Sequence, residues 1–226
     1  MNQPRREFLK ASLVASAATL TGLSASAGTS PGGREYYELR AYRLKPGVTH
    51  DLLDGYLANA LIPALNARGI ANVGVFTEPG PKDGPAVWVL IPHPSLESVA
   101  EVTASINADP SVAAAGAAYF DPTLKDNPAF DRIDSWILLA FSGMPRLAVP
   151  ELTREGKPRI LELRTYESFN EVKALKKVEM FNAGEIGTMQ EVGLSPVFFG
   201  QALAGPGLPH LTNMLCGPDR EAHKEH

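Results

Sequence analysis

The sequence predicts a mixed α+β protein in which one structural unit occurs twice. Residues 37–42 are Tyr-Glu-Leu-Arg-Ala-Tyr, and residues 161–166, which lie 124 positions later, are Leu-Glu-Leu-Arg-Thr-Tyr. The same offset aligns Gly69 with Gly193 and Pro85 with Pro209. Strand-like and helix-like segments of the first copy alternate in the order β-α-β-β-α-β, which is the ferredoxin-like order. A duplicated unit directs the search for a site to the place where its two copies meet.

The first unit is predicted over residues 34–141 and begins with an alternating strand at 35–44. A helix follows, in which apolar residues recur at helical spacing up to a stop at Gly69, with a kink expected at Pro63. The remaining elements are a β-rich segment at 70–78, an interior strand at 86–91, a helix at 95–107 with an alanine-rich stretch at 111–118, and a strand at 134–141. A sheet of this order carries helices on one face and leaves the other face for a second sheet.

Residues 142–157 form a polar linker rich in Gly and Pro, and the second unit is predicted over residues 158–226. It repeats the order with a strand at 159–166, a helix at 170–192 and strands at 194–203 and 208–215. The sequence stops where the second helix of this unit is expected to begin. We therefore expect the second unit to be truncated, with one sheet edge left uncovered.

These motifs resemble the NIPSNAP family. The resemblance is carried by the paired strand motifs and the two helix stops, namely Glu38, Leu39, Arg40, Tyr42, Glu162, Leu163, Arg164, Tyr166, Gly69 and Gly193. It implies a dimeric α/β-barrel-like arrangement, in which two ferredoxin-like sheets face each other with their helices outside. It implies no agreed reaction or catalytic set, so the resemblance leaves open whether the protein is an enzyme.

Two Glu-Arg-Tyr ladders are the predicted ligand-binding residues. If the helices cover the strand face that carries Tyr37 and Leu39, the opposite face points into the space between the two sheets. That face carries Glu38, Arg40 and Tyr42 in the first unit and Glu162, Arg164 and Tyr166 in the second. Arginine and tyrosine donors in such a space suit a small anionic or enolate-like molecule. The alternative is that the glutamates and arginines close structural ion pairs with one another.

The sequence thus predicts a small-ligand-binding or assembly module of undefined activity, with no cofactor. One alternative is a cofactor-independent oxygenase or isomerase that acts in the barrel lumen through Arg40, Tyr42, Arg164 and Tyr166. Another alternative is a structural oligomerisation domain whose uncovered sheet edge recruits another chain and forms a homo-oligomer.

The remaining reactive side chains give weaker signals. His50, His93 and His210 lie in no His-x-His or i, i+4 arrangement, so no metal site is predicted. His93 stands between two prolines at a strand end and is interpreted as a loop residue. Cys216 closes an apolar run and is expected to be a small buried side chain rather than a nucleophile.

Residues 1–27 have the pattern of a twin-arginine signal peptide. The signal residues Arg5, Arg6, Phe8, Leu9 and Lys10 match the bacterial Tat motif, and residues 25–27, Ala-Ser-Ala, offer a cleavage site. The apolar stretch between them is shorter than the ~20 residues of a membrane span. We therefore expect the Tat export machinery as a partner, a periplasmic or extracellular location, and no membrane span after cleavage.

The charge of the chain argues against nucleic acid as a partner. The formal net charge is −4, and the predicted signal peptide carries a net +2, so the rest of the chain carries about −6. An acidic chain without a block of Lys and Arg has no means of gathering phosphate groups.

Overall fold

The computed structural model describes residues 33–79 and 85–219. The predicted signal residues Arg5, Arg6, Phe8, Leu9 and Lys10 lie outside this part of the chain. Of the helices in the described ranges, none combines the length and the hydropathy that crossing a membrane requires.

In the described residues, seven strands form one antiparallel sheet. They are β1 (Tyr36–Arg43), β2 (Gly74–Thr77), β3 (Ala86–His93), β4 (Arg132–Ala140), β5 (Ile160–Glu167), β6 (Ser195–Ala204) and β7 (His210–Gly217). Their order across the sheet is β2-β3-β1-β4-β6-β7-β5. The first four strands therefore form a complete ferredoxin-like sheet, and the last three join it through the pairing of β4 with β6.

The helices flank this sheet. They are α1 (Asp51–Tyr56), α2 (Ile62–Ala67), α3 (Leu96–Asn107), α4 (Pro110–Ala115), α5 (Glu151–Arg154), α6 (Glu171–Met180) and α7 (Ile186–Glu191). A π-helical turn at Leu57–Leu61 joins α1 to α2, and another at Phe181–Glu185 joins α6 to α7. Pro63 lies at the start of α2, just after the first π-helical turn, whereas the second contains Gly184, whose φ of 162° and ψ of −22° are not helical.

The two halves have the same local construction. In the first half β1 pairs with β3 from Tyr36 opposite His93, and in the second half β5 pairs with β7 from Ile160 opposite Gly217, so the two registers differ by the same 124 residues. Both long helices end at a glycine of positive φ, Gly69 and Gly193. The amide after each glycine bonds back across the last turn, which is the Schellman ending.

The predicted α+β fold is confirmed: a four-stranded ferredoxin-like first half and a three-stranded second half share one antiparallel sheet in a dimeric α/β-barrel-like arrangement. The concave side of the sheet holds an interior cluster that joins both halves and includes Tyr37, Leu39, Phe198 and Met214. Leu147 and Leu152, from the connector between β4 and β5, also pack onto this cluster. The interior of the barrel is therefore apolar.

The predicted orientation of the two ladders is wrong. Glu38, Arg40, Tyr42, Glu162, Arg164 and Tyr166 do not point into the space between the sheets. Tyr42 packs among the residues of α1, α2 and the π-helical turn between them, whereas Tyr166 packs with Phe181 beneath the second helix layer. The apolar residues that alternate with them point into the lumen instead, because apolar side chains from the other half of the chain pack against them there.

Candidate functional site

The candidate site lies between the first half of the sheet and its helices. Arg40 and Glu38 are neighbours on the helix-facing side of β1 because they stand two residues apart on one strand. Arg40 Nε donates to Glu38 Oε1 at 2.7 Å, and Nη2 donates to Oε2 at 2.8 Å. Only 15% of the Arg40 side chain and 10% of the Glu38 side chain are exposed. This is a buried bidentate ion pair of the strong kind.

His93 ends β3 on the same face. Its side chain is 1% exposed, and its Nδ1 lies 3.1 Å from Ser98 Oγ at the start of α3. Its Nε2 lies 3.8 Å from Glu38 Oε2, which exceeds hydrogen-bond length. Among the described residues this nitrogen has no hydrogen-bond partner. The histidine is therefore held on one side, and its second nitrogen is open to a further partner.

A small cavity adjoins these three side chains. Its volume is about 30 Å³, and it is lined by Glu38, Arg40, Tyr56, Leu61, Leu65, His93, Thr103, Ile106 and Asn107. A volume of this size admits about two water molecules. The lining combines charged and hydroxyl groups with apolar walls, which is the composition of a site for a small polar molecule.

The electrostatics of the site keep Glu38 ionised. Burial by itself raises the pKa of Glu38, but the adjacent His93 and Arg40 outweigh this effect and lower that pKa to about 2. Burial also disfavours the charged form of Arg40, yet Glu38 and Tyr42 raise the pKa of Arg40 above its ordinary value. The carboxylate and the guanidinium are therefore both charged over the physiological pH range.

Aromatic rings close the outer side of the cavity. Tyr56, which lines it, stacks on Tyr119 with ring centroids 4.0 Å apart and planes at 9°. Phe130 packs against both Tyr119 and Tyr42. Burial raises the pKa of Tyr56 and of Tyr119, so both hydroxyls stay protonated at neutral pH. Tyr56, which lines the cavity, can therefore serve as a hydrogen-bond donor there.

The second ladder is built in the same way but is less enclosed. Arg164 Nη2 donates to Glu162 Oε2 at 2.8 Å, and the two side chains are 31% and 36% exposed. In the first half, α3 lies over the equivalent pair. The structure therefore brings Glu38, Arg40 and Tyr42 together beneath one helix layer, and it places Glu162, Arg164 and Tyr166 separately in the other half.

The barrel interior offers no comparable polar cluster in the described part of the chain. Trp88 and Trp136 stack there with ring centroids 5.8 Å apart. Tyr37 is fully buried, and its hydroxyl has no hydrogen-bond partner among the described residues. Burial and then the nearby Glu35 carboxylate raise the pKa of this hydroxyl. Cys216 is buried as expected, and burial raises the pKa of its thiol.

His50 and His210 lie outside the cavity beside Glu38. His50 is about half exposed and contacts Asp54, and His210 bonds through Nδ1 to the Gly207 carbonyl oxygen. Within residues 33–79 and 85–219, no group of three His, Cys, Asp or Glu side chains is placed to hold a metal ion.

His93 is the residue that the sequence prediction missed. It was interpreted as a loop residue because prolines flank it, yet it is the last residue of a strand whose alternate positions, Val89 and Ile91, face the helices. Continuing that alternation by two residues places His93 on the same face as Glu38. Two features of the sequence identify His93: the polar face of β1, and the alternation of β3, which places His93 on the same side as Val89 and Ile91.

Comparison with known proteins finds a family match for the first half of the molecule. Residues 37–139, which include the whole candidate site, match the family model described as NIPSNAP. We name residues 37–139 the NIPSNAP domain after this match. No curated protein is significantly similar to the chain.

Solved structures resemble the NIPSNAP domain and the chain around it to different extents. A "putative monooxygenase" from Fusobacterium nucleatum has a TM-score of 0.55 at 7% identity, over 86% of this chain and 80% of the other, which shows a shared fold. A NIPSNAP family protein of unknown function from Agrobacterium tumefaciens is 24% identical over 47% of this chain and 87% of its own, with a TM-score of 0.36. A haem-binding protein from Thermus thermophilus is 14% identical over 85% and 81%, with a TM-score of 0.43.

Proposed function

We propose that the protein is a small-ligand-binding module whose site is the cavity between β1, β3 and the helices of the NIPSNAP domain. The observation that carries this proposal is that His93 lines a polar cavity and that its buried Nε2 lacks a hydrogen-bond partner in the described residues. Buried polar atoms are almost always hydrogen-bonded, so an open one calls for a ligand or an ordered water.

The ligand that fits carries a small acceptor group, such as a carboxylate or a carbonyl. Arg40 has five N–H donors and uses two of them to bond Glu38, so it retains donors for a ligand oxygen. Tyr56 supplies a protonated hydroxyl, and His93 Nε2 completes the set. Since the cavity holds a group no larger than formate, a bigger ligand would enter by its acceptor end only.

The test is a binding series with formate, acetate, glycolate and pyruvate on the full chain, followed by thermal unfolding and calorimetry. A ligand at a hundredfold excess over its Kd stabilises the folded protein by about 2.7 kcal/mol. His93→Gln should abolish this gain, whereas Arg164→Met, which alters the ion pair of the second half, should leave it intact. Equal binding by His93→Gln and the parent chain would overturn the proposal.

A second candidate function is enzymatic proton transfer at the same cavity. It is favoured by Ser98, which fixes His93 through Nδ1 and leaves Nε2 free to accept a proton from a bound molecule. Arg40 would then stabilise the enolate oxygen that forms. This isomerase-type reaction replaces the predicted chemistry in the barrel lumen. Exchange of deuterium from D2O into the C3 methyl group of pyruvate, absent in His93→Gln, tests it.

We also propose that residues 1–27 export the protein through the Tat pathway to the periplasm or the extracellular space. The support is the match of Arg5, Arg6, Phe8, Leu9 and Lys10 to the twin-arginine motif. Replacement of both arginines by lysine should retain the uncleaved chain in the cytoplasm of a Tat-competent bacterium. Export of the double variant at the parent level would contradict this assignment.

A further inference from the structure

Strand β5 forms one edge of the sheet. It pairs with β7 on one side, and its other side has no strand neighbour among the described residues. Ser168 N bonds to Pro209 O, so even-numbered residues at this end of β5 direct their backbone groups toward β7. Because these directions alternate along an antiparallel strand, the N–H and C=O of Leu161, Leu163 and Thr165 point to the open side.

In the first half, β4 occupies the side of β1 that corresponds to the open side of β5. Ser135 of β4 lies opposite Arg40, and Trp136 lies opposite Leu39. Ser135 Oγ also donates to Glu38 Oε1 at 3.2 Å, so the added strand completes the polar face of that half. Since β5 and β1 have the same register with their inner neighbours, a strand on β5 would meet Arg164 and Leu163 at the corresponding positions.

We propose that the β5 edge binds one extended strand from another polypeptide, whose side-chain pattern matches that of β4. Its apolar residues at alternate positions would face the interior cluster beside Leu161 and Leu163, as Trp136 and Leu138 do on β4. A small hydroxyl residue would stand opposite Arg164. The greater exposure of the Glu162–Arg164 pair than of the Glu38–Arg40 pair is the difference that such a strand would reduce.

Pairing of an extended peptide with a free sheet edge is a known mode of recognition, in which backbone hydrogen bonds give affinity and alternate side chains give specificity. We expect the bound segment to be a single strand, because one strand, β4, occupies the corresponding side of β1 in the first half. In that position β4 also pairs with β6 and so joins the two halves of the sheet. This inference concerns the second half and does not depend on the ligand site in the first.

The test uses the full chain and a synthetic peptide with the sequence of residues 132–141, Arg-Ile-Asp-Ser-Trp-Ile-Leu-Leu-Ala-Phe. We expect saturable one-to-one binding by native mass spectrometry, together with amide exchange in β5 slowed at least about tenfold. The same peptide with proline at the position of Leu138 should not bind, because proline cannot complete a strand ladder.

A matched pair of protein variants locates the peptide. Thr165→Pro removes an outward N–H from the edge and should abolish binding, whereas Thr165→Val retains that N–H and should bind like the parent chain. The proline-containing peptide keeps the test decisive if Thr165→Pro fails to fold. No binding, equal binding by both peptides, or protection of β5 by a second copy of the protein before peptide is added would overturn the proposal.

Discussion

Glu38 is the residue on which the stability of the site most depends. It is 8% exposed, and its two carboxylate oxygens accept both hydrogen bonds that Arg40 donates along the strand. Burial of these charges is unfavourable unless each retains its partner, so removal of one partner leaves an uncompensated buried charge. The pair is therefore a point at which a single substitution has a large effect.

Glu38→Gln should lower the free energy of unfolding at neutral pH by about 3–5 kcal/mol, because Arg40 would remain buried without its counter-charge. The matched change Glu162→Gln, in the more exposed pair, should cost less than about 1 kcal/mol. Urea unfolding of the three proteins at one pH measures both values. Similar losses from the two substitutions would contradict the burial argument.

Stability should also depend on pH through Glu38. Its pKa is about 2 in the folded protein and 4.5 without the fold, so the stabilisation is complete above about pH 4.5 and is lost as the pH falls toward 2. The difference corresponds to about 3 kcal/mol. Denaturation at successive pH values should show a slope in this range that Glu38→Gln lacks. An unchanged slope in that variant would rule out Glu38 as its source.

The alternation of β1 was sufficient to predict which residues share a face, but not which face meets the helices. Glu38, Arg40 and Tyr42 form the more polar face, which by ordinary expectation lies away from the helix layer. Here the glutamate and arginine neutralise each other within the strand, and Phe198 from the distant second half buries the apolar face. That partnership spans 161 positions and cannot be found by periodicity in one strand.

At the scale of elements, the junction between β4 and β6 joins the two halves. Gly200 lies in β6 opposite Ala140, and a Cβ added there would lie 2.8 Å from the Cβ of Leu138. Since Leu138 is fully buried in the interior cluster, neither strand has room to yield. The close approach of these strands therefore requires glycine at this position.

Gly200→Ala should destabilise the protein by about 1–3 kcal/mol, since overpacking a buried junction forces the strands apart. Gly187→Ala is the control, because this exposed glycine in α7 has nothing within 4 Å of an added Cβ. Alanine there should be neutral or stabilising by up to about 1 kcal/mol. Melting temperatures of the two variants measure the contrast, and a fall of equal size in both would refute it.

Most elements could be predicted because their signals are local. Ser95 caps α3 through a hydrogen bond from the Ser98 amide, and Gly69 and Gly193 end their helices as expected. The π-helical turns at Leu57–Leu61 and Phe181–Glu185 are not predicted, because each is a single turn between two α-helical segments of the same helix. β2 is also shorter than the β-rich segment from which it was predicted.

At the scale of the whole molecule, the two halves share one core. Phe198 of the second half packs edge-on against Tyr37 of the first half, with ring centroids 5.1 Å apart, and both rings are fully buried. Both tryptophans of the chain, Trp88 and Trp136, lie in the first half. Their fluorescence therefore reports the unfolding of the first half, together with the contact that Trp136 Nε1 makes by donating to the Pro206 carbonyl oxygen of the second half at 2.8 Å.

Phe198→Ala should shift the tryptophan-detected unfolding transition by about 3–5 kcal/mol, although the substitution lies in the other half, because the shared core unfolds as one unit. Val172→Ala, at an exposed position of α6, should have little effect. A tryptophan transition that Phe198→Ala leaves in place, while circular dichroism detects a separate loss of structure, would show that the halves are independent.

The ligand site of the NIPSNAP domain is tested most directly by nuclear magnetic resonance of histidine side chains labelled with ¹⁵N, during a titration with formate at constant pH. The account predicts a saturable shift of the His93 Nε2 signal, while His50 and His210, which lie outside the cavity, keep their positions. A His93 signal that does not move, or equal shifts of His50, His93 and His210, would contradict it.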